Sequence, residues 1–423
     1  MTHDSIGRIV TPARFDAVVV GSGPAGSTAA LVLARGGARV ALIDKATFAR
    51  DKACGDLIGP RALALMDSLG LTPPAGRQVG EMIVVGPTGR RVVLPARAGR
   101  TFPGHGLAIP RARFDAWLRD QAINAGAEPV TGRVVSARDG VVELDDGRRL
   151  SADVVVAADG ATSGVGLAAG LIDTNRVLWG FAQRTYVDQV VDRPAIVLWD
   201  DGPRRGFPGY GWVFPGCDGR ANIGLGLGVR AHRASGSRAV AQFDAFCDHL
   251  RNIGLLTAAV DGRRLGGWLK MGVVGTVAAR DRTFLVGDAA GVVNPLQGEG
   301  IAPAMTTAAA AAALILHSPG TAAAHYRHFL DAGPGRFAAF ASPLHHAAIS
   351  GSPARVSVLA RALTMPGMGR LVAPVWALSW NDLVDGAPPG PITALSRVVL
   401  AGGRAAMRST AVATGLRRDL ADQ

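Results

Sequence analysis

Gly21, Gly23 and Gly26 stand in a GxGxxG spacing between a β-branched run, FDAVVV at 15–20, and a helix-like segment, STAALVLARGG. Gly21 permits a tight turn, Gly23 lets the backbone close on an anion, and Gly26 leaves no side chain between strand and helix. The helix that begins there, with Ala25 in its first turn, offers unpaired N–H groups and a positive dipole end to a pyrophosphate. The next apolar run, Arg39 to Ile43, delivers Asp44, whose carboxylate is placed to accept hydrogen bonds from an adenosine ribose. Together these residues predict a dinucleotide site and leave FAD and NAD both open.

Two later strand-like runs also end in acids. VVVAADGATS, Val154 to Ser163, leads into Asp159-Gly160, and FLVGDAAGVVNPLQGEGI, Phe284 to Ile301, delivers Asp288 and then Gly298-Glu299-Gly300 ahead of an alanine-rich helix. A helix starting at Gly300 sets its positive end where an anionic ring edge is stabilised. A plain connecting loop after a strand-end aspartate is the alternative.

Two more groups carry chemistry. Cys54 follows Lys52 and precedes Gly55-Asp56, whereas Cys217 and Cys247 have no charged context of this kind and read as structural. Alone, Cys54 is also the small buried hydrophobe that free cysteine commonly is. In Tyr210-Gly-Trp212-Val-Phe214-Pro215 the aromatics alternate, so in a strand they share one face and form an apolar wall. An aromatic stripe alone is equally the core of a sheet. The next run, Asn222 to Val229, holds Gly224, Gly226 and Gly228 in alternation, and the hairpin register decides whether that bare face lies beneath the aromatics.

The elements that position these residues need more than one compact unit, since 423 residues exceed the roughly 100–200 of an ordinary domain. With 48% hydrophobic and 18% charged residues the composition is globular. The net charge of +12 comes almost wholly from arginine, because lysine occurs only at Lys45, Lys52 and Lys270. It reflects either a bias of composition or attraction to anionic headgroups and phosphates. The basic residues are scattered and not interleaved with stacking aromatics, which argues against nucleic acid. Three cysteines without paired spacing predict neither a metal site nor a disulfide framework, and a reducing, cytoplasmic setting. The N-terminus lacks a signal-peptide core, and Ile301 to Leu316 is short of the roughly 20 residues that span a bilayer, so it reads as a buried helix.

Lys52-x-Cys54-Gly55 and Pro208-x-Tyr210-x-Trp212-x-Phe214-Pro215, joined to the glycine turn and the two acidic strand ends, resemble the geranylgeranyl reductase family of FAD-dependent oxidoreductases. The chain is similar to archaeal lipid reductases and actinobacterial menaquinone reductases over Phe15 to Tyr326, and departs from the family's loop pattern at Ala53 and Leu57. The resemblance implies an α/β fold of the para-hydroxybenzoate hydroxylase type. It has a Rossmann-like FAD domain at 15–76, 98–170 and 275–329, an inserted antiparallel β-sheet substrate domain at 77–97 and 171–274, and a helical C-terminal region at 330–423. Two C-terminal segments, ARVSVLARALTM and ALSRVVLAGGRAAMRSTAV, read as short amphipathic helices that pack on the domain or lie on a membrane.

The resemblance further implies that FAD is held by Gly21, Gly23, Ala25, Gly26, Asp44, Lys45, Cys54, Gly55, Arg111, Val135, Asp159, Gly160, Asp288, Gly298, Gly300 and Ile301. Asp288 bonds the ribityl chain, and Gly300 and Ile301 present N–H groups to the flavin. Arg111 is a cofactor contact or, read without the family, a solvated arginine. Tyr210, Trp212, Phe214 and Pro215 bind an isoprenoid or lipid substrate whose double bonds are reduced, with electrons from NAD(P)H or another donor. Cys54 is a proton source or a positioning residue, an unperturbed thiol pKa of about 8.5 making it a weak acid. An FAD monooxygenase and a non-catalytic isoprenoid carrier are the rival readings.

Overall fold

The computed structural model describes residues 13–199, 209–229, 236–350 and 353–413. Pro208 and residues 1–12 of the N-terminal segment lie outside them.

The chain opens with β1 (Ala13–Val20), α1 (Pro24–Arg35) and β2 (Val40–Asp44), the strand–helix–strand unit that the glycine turn predicts. Next come β3 (Leu57–Ile58), α2 (Pro60–Ser68), β4 (Arg77–Val79), β5 (Met82–Val85), β6 (Arg91–Leu94), β7 (Gly106–Ala108), α3 (Arg111–Asn124) and β8 (Glu128–Thr131). They lead through β9 (Val134–Arg138), β10 (Val141–Leu144), β11 (Arg149–Ala157) and α4 (Gly164–Ala168) to β12 (Leu178–Val187). Then follow β13 (Ala195–Val197), β14 (Gly209–Pro215), β15 (Ala221–Val229), α5 (Gly236–Asn252), β16 (Leu265–Met271), β17 (Ala279–Arg280) and β18 (Thr283–Leu285). Six helices complete the described chain: α6 (Ile301–His317), α7 (Ala322–Ala332), α8 (Pro334–Ser350), α9 (Pro353–Leu363), α10 (Met368–Trp380) and α11 (Pro391–Ala413).

One sheet runs β17-β18-β11-β1-β2-β8, with β9 and β10 attached to β11 as a hairpin. Its central strands are parallel, and β1 is buried on both faces as crossover helices require. α1 packs against both α3 and α6, which is why its apolar residues surround the helix and Leu31 and Leu33 are fully buried. α6 is the helix expected from Ile301 onward. Among the described residues no helix is long and apolar enough to cross a membrane.

The second sheet runs β16-β12-β15-β14-β13-β5-β6, antiparallel except where β13 pairs with β5. Val213, Ile223 and Leu225 face Phe243 and Phe246 of α5 on one side. On the other, Trp212 and Phe214 share a cluster with Ala373 and Ala377 of α10. A small third sheet, β3-β7-β4, sits beside them. The segment expected as a short C-terminal helix is instead part of a 23-residue helix, α11, with Ser396 and Leu400 buried and Val398 exposed.

Candidate active site

At the nucleotide end the three glycines divide by cause. A Cβ on Gly26 would lie 1.7 Å from the Gly21 carbonyl, and one on Gly21, whose φ is +100°, would lie 2.4 Å from the Ala158 carbonyl, so the chain's own packing demands both. A Cβ on Gly23 would meet nothing closer than Arg50, at 3.7 Å. The fold therefore leaves the space over Gly23 for something else, as a close-approaching pyrophosphate requires. Asp44 ends β2, and its two oxygens accept from Ser22 N at 2.7 Å and Ala46 N at 2.9 Å, aiming the carboxylate into the turn. Lys45 is exposed beside it, and Val135 is 57% exposed on the outer hairpin.

Asp159 and Asp288 follow the adjacent strands β11 and β18. Asp159 Oδ2 accepts from Val165 N at 3.1 Å, while its buried Oδ1 has no partner among the described residues. Gly160 has φ +87° and open space where a side chain would stand. Lys270 of β16 is fully buried, its Nζ also unpartnered there; burial lowers its pKa to about 8 against the attraction of Asp159 and Asp288. Buried polar atoms are normally satisfied, so an orphaned carboxylate oxygen beside the glycine turn and an orphaned ammonium near Asp159 and Asp288 fit a ligand rich in hydroxyls and phosphates.

A cavity of about 520 Å³ continues from there. It brings together Cys54, Gly55, Arg111, Tyr210, Trp212, Phe214, Asp288, Gly298, Gly300 and Ile301. Pro215 does not line it and closes β14 opposite Ala221. In the hairpin, Trp212 pairs with Gly224 and Tyr210 with Gly226, so the bare strand does lie under the aromatics. A Cβ on Gly224 would be 2.0 Å from the Trp212 ring. Trp212 and Phe214 stack with centroids 6.1 Å apart, and Trp376 and Trp380 of α10 complete the apolar wall.

Behind that wall Asp56, with φ +63° and only 3% exposed, is a polar hub. Tyr186 donates to its Oδ2 at 2.6 Å and Asn222 Nδ2 at 2.8 Å, while Arg111 N reaches Oδ1 at 3.2 Å. Asn222 also donates to the Cys54 carbonyl at 2.7 Å and accepts from Trp212 Nε1 at 2.9 Å. One amide thereby fixes the aromatic wall against the cysteine loop. Arg184, 1% exposed, bonds Asp51 and stacks 4.2 Å over Tyr186, and Lys52 lies 3.5 Å from Asp288, so both flanks of the loop are tied down.

Arg111 is not solvated, which corrects that alternative: it is 4% exposed and makes two 2.7 Å bonds to Asp115 on its own helix. Its charge beside Cys54 opposes the effect of burial but does not overcome it, and the thiol pKa is raised. Cys54 therefore stays protonated at neutral pH. Gly300 caps α6 with Ile301 its first residue, and Glu299 Oε1 accepts from Ala302 N at 2.7 Å. Burial pushes the Glu299 carboxyl up to about 7 in spite of the Ala302 and Ile301 N–H groups. Tyr210 donates to the Gln297 carbonyl, and burial raises its pKa.

Asp56, Tyr186, Asn222, Glu299 and Lys270 carry no expectation from the sequence. Asp56 and Glu299 sit inside quoted motifs and Lys270 is one of only three lysines, which were the available signals.

The profile of a family described as an FAD binding domain matches residues 14–327. Menaquinone reductase of Mycolicibacterium smegmatis is 36% identical over 315 residues, covering 71% of this chain and 76% of that protein. The chain belongs to the geranylgeranyl reductase family. It is an FAD-dependent oxidoreductase. Digeranylgeranylglycerophospholipid reductase 1 of Methanopyrus kandleri is 33% identical over 314 residues, 69% of this chain and 78% of that one. In fold, this family member is similar to a geranylgeranyl bacteriochlorophyll reductase-like protein of Thermoplasma acidophilum, with TM-score 0.70 and 22% identity over 89% of this chain and 98% of the other. It is also similar to a flavin-dependent brominase, with TM-score 0.64 and 17% identity over 92% and 99%.

Proposed function

We propose that this protein reduces carbon–carbon double bonds of an isoprenoid chain, on a quinone or a lipid, held against Tyr210, Trp212 and Phe214. The observation that carries this reading is the register of β14 on β15, which seats the aromatic wall over bare glycines and turns it toward Cys54 and the start of α6 in one cavity. The names of the relatives, menaquinone and prenyl-lipid reductases, support it.

FAD supplies the hydride when bound. The Gly21–Gly26 turn is proposed to hold its pyrophosphate, Asp44 its ribose, Asp288 its ribityl chain, and the Gly300 and Ile301 N–H groups its ring edge. Cys54, Gly55, Gly298 and Arg111 then border the ring, Lys45 and Val135 stand at the adenine end, and Asp159-Gly160 lies between. Saturating an alkene also needs a proton. Glu299, with a pKa near 7, is partly protonated on its carboxyl at neutral pH, and Cys54 holds a proton on Sγ. An acid matched to the working pH is the more effective donor, so Glu299 is the proposed source and Cys54 the group that shapes the pocket beside it. The faces of Tyr210 and Trp212 stabilise positive charge developing on the tertiary carbon.

The division into an FAD domain at 15–76, 98–170 and 275–329, a substrate domain at 77–97 and 171–274, and a helical region from 330 belongs to the same proposal. So does peripheral attachment to the inner face of the cell membrane, from the basic charge and the apolar substrate. The test is anaerobic: protein reduced with dithionite is mixed with a geranylgeranyl lipid. Reoxidation of the flavin with a product two mass units heavier supports a reductase. Turnover that needs oxygen and consumes it with product overturns the reading in favour of a monooxygenase.

A further inference from the structure

Eight of the twelve large hydrophobic residues most exposed among the described residues lie between 344 and 399. Within that stretch the turn from α9 into α10 forms an elbow. Val358, Leu359, Met365 and Leu371 are 66%, 59%, 51% and 77% exposed there. Thr364, only 2% exposed, seats the elbow on the end of β5, packed so close over Gly86 that a Cβ there would lie 2.0 Å from its hydroxyl. The apolar residues that point outward are therefore not a frayed end but the outer face of a fixed turn.

The charged residues on the elbow's own stretch of chain have one sign. Arg361 and Arg370 are exposed on it, and the sequence holds no Asp or Glu between Asp331 and Asp382. An exposed apolar face whose own stretch of chain carries arginine and no carboxylate complements an anionic headgroup layer over an acyl interior. The elbow is also continuous with the cavity: Leu359 and Leu344, the latter 37% exposed, are both surface residues and cavity lining. The cavity wall thus reaches the outside at the apolar patch.

We propose that the α9–α10 elbow is the surface on which the protein rests on an anionic lipid bilayer, with the cavity opening beside it so that an isoprenoid chain passes from the acyl layer to Trp212. The route to Trp212 rests on the reductase reading above; the docking surface does not.

Hydrogen exchange of the full-length, FAD-loaded protein, with and without phosphatidylglycerol vesicles free of isoprenoid, tests it directly. Slowed exchange across 357–371 is expected. Unchanged exchange there, or protection centred on another face, overturns the proposal. Val358→Glu with Leu371→Glu, two side chains outside the cavity, is expected to lower vesicle partitioning at least tenfold while FAD content and turnover of detergent-dispersed substrate stay at wild type. Arg361→Gln with Arg370→Gln is expected to weaken partitioning at low salt and to have little effect at high salt, where screening already removes the attraction. Wild-type partitioning by the Glu variant, or equal binding of the wild-type protein to phosphatidylcholine vesicles, overturns the docking surface. Normal partitioning with no turnover of dispersed substrate by the wild-type protein overturns the reductase reading instead.

Discussion

Val213 and Trp212 are neighbours on β14, yet they answer to different constraints. Val213 points into a dry cluster with Phe243 and Phe246, where Phe246 fills the notch left by Gly211 and a Cβ there would come within 1.9 Å of its ring. Trp212 points the other way, over Gly224, with its indole N–H spent on Asn222. The α5 side of the sheet is closed by apolar packing, with Arg264 over the Phe243 ring at its edge. The cavity side combines an apolar wall with a buried polar hub, and it opens to ligand. Alternation along one strand thus separates the residues that hold the sheet from those that line the cavity.

That contrast is broken or sharpened by substitution. The largest effect is expected from Phe246→Ala, which removes a fully buried ring and costs about 3–5 kcal/mol in urea denaturation, with FAD lost only as the fold is lost. Trp212→Ala is its counterpart: FAD content close to wild type with isoprenoid reduction cut strongly. Should the two variants lose stability, flavin and activity in the same proportion, the two faces are not distinct.

Asn222→Ala leaves Trp212 Nε1 and the Asp56 carboxylate each short of a partner, a cost of about 1–3 kcal/mol. Its reduction rate is expected to fall further than its FAD affinity, because the amide aligns the wall with the Cys54 loop and makes no hydrogen bond to the Gly21–Gly26 turn, Asp44 or Asp288. Equal losses in both would make Asn222 merely structural. Gly23→Ala does the reverse, lowering FAD affinity about tenfold in a fluorescence titration while the melting temperature of the apoprotein holds, since the added methyl meets only Arg50 at ordinary contact distance.

The smallest effect is a pH dependence. The Glu299 carboxyl titrates near 7 when folded and near its ordinary 4.5 when unfolded, so the folded chain binds the extra proton between those values. Stability from this group therefore rises as pH falls from about 7 toward 4.5 and is lost as pH rises through 7. Glu299→Gln is expected to remove that slope, and to flatten a reduction rate that in the wild type declines above about pH 7. A wild-type profile retained by the variant would show that the proton comes from elsewhere.

The nucleotide end was legible because its causes are local. Gly21 and Gly26 are demanded by atoms within the same strand–turn–helix unit and its neighbouring strand, and such a unit announces itself in a short window of sequence. The aromatic stripe was legible too, but its meaning was not, because the facing glycines acquire their role only through the hairpin register. The hub was invisible: Asp56 meets Asn222 across 166 positions and Tyr186 across 130, and nothing in either neighbourhood marks the partner. Trp376 and Trp380 stand four apart on one helix face in a region the sequence marks only as helical, and only the docking of α10 makes them cavity wall. Arg111 was visible as a residue but not as a buried one, since its burial depends on Asp115 one helical turn further on.

On the proposed reading, the glycines beneath the aromatic wall set how far a chain can enter. Gly224 is committed to seating Trp212, but a Cβ on Gly226 would only touch that ring at 3.7 Å, and Gly226 and Gly228 both face the cavity. Each glycine in a strand gives up roughly 0.5–1 kcal/mol relative to alanine. The protein therefore trades a little stability for reach, and the trade is adjustable one methyl at a time. On the proposed reading, Gly226→Ala would shorten the gauge without moving the wall, and the side chains that β15 lacks would decide which double bond of a long isoprenoid comes to rest beside Cys54.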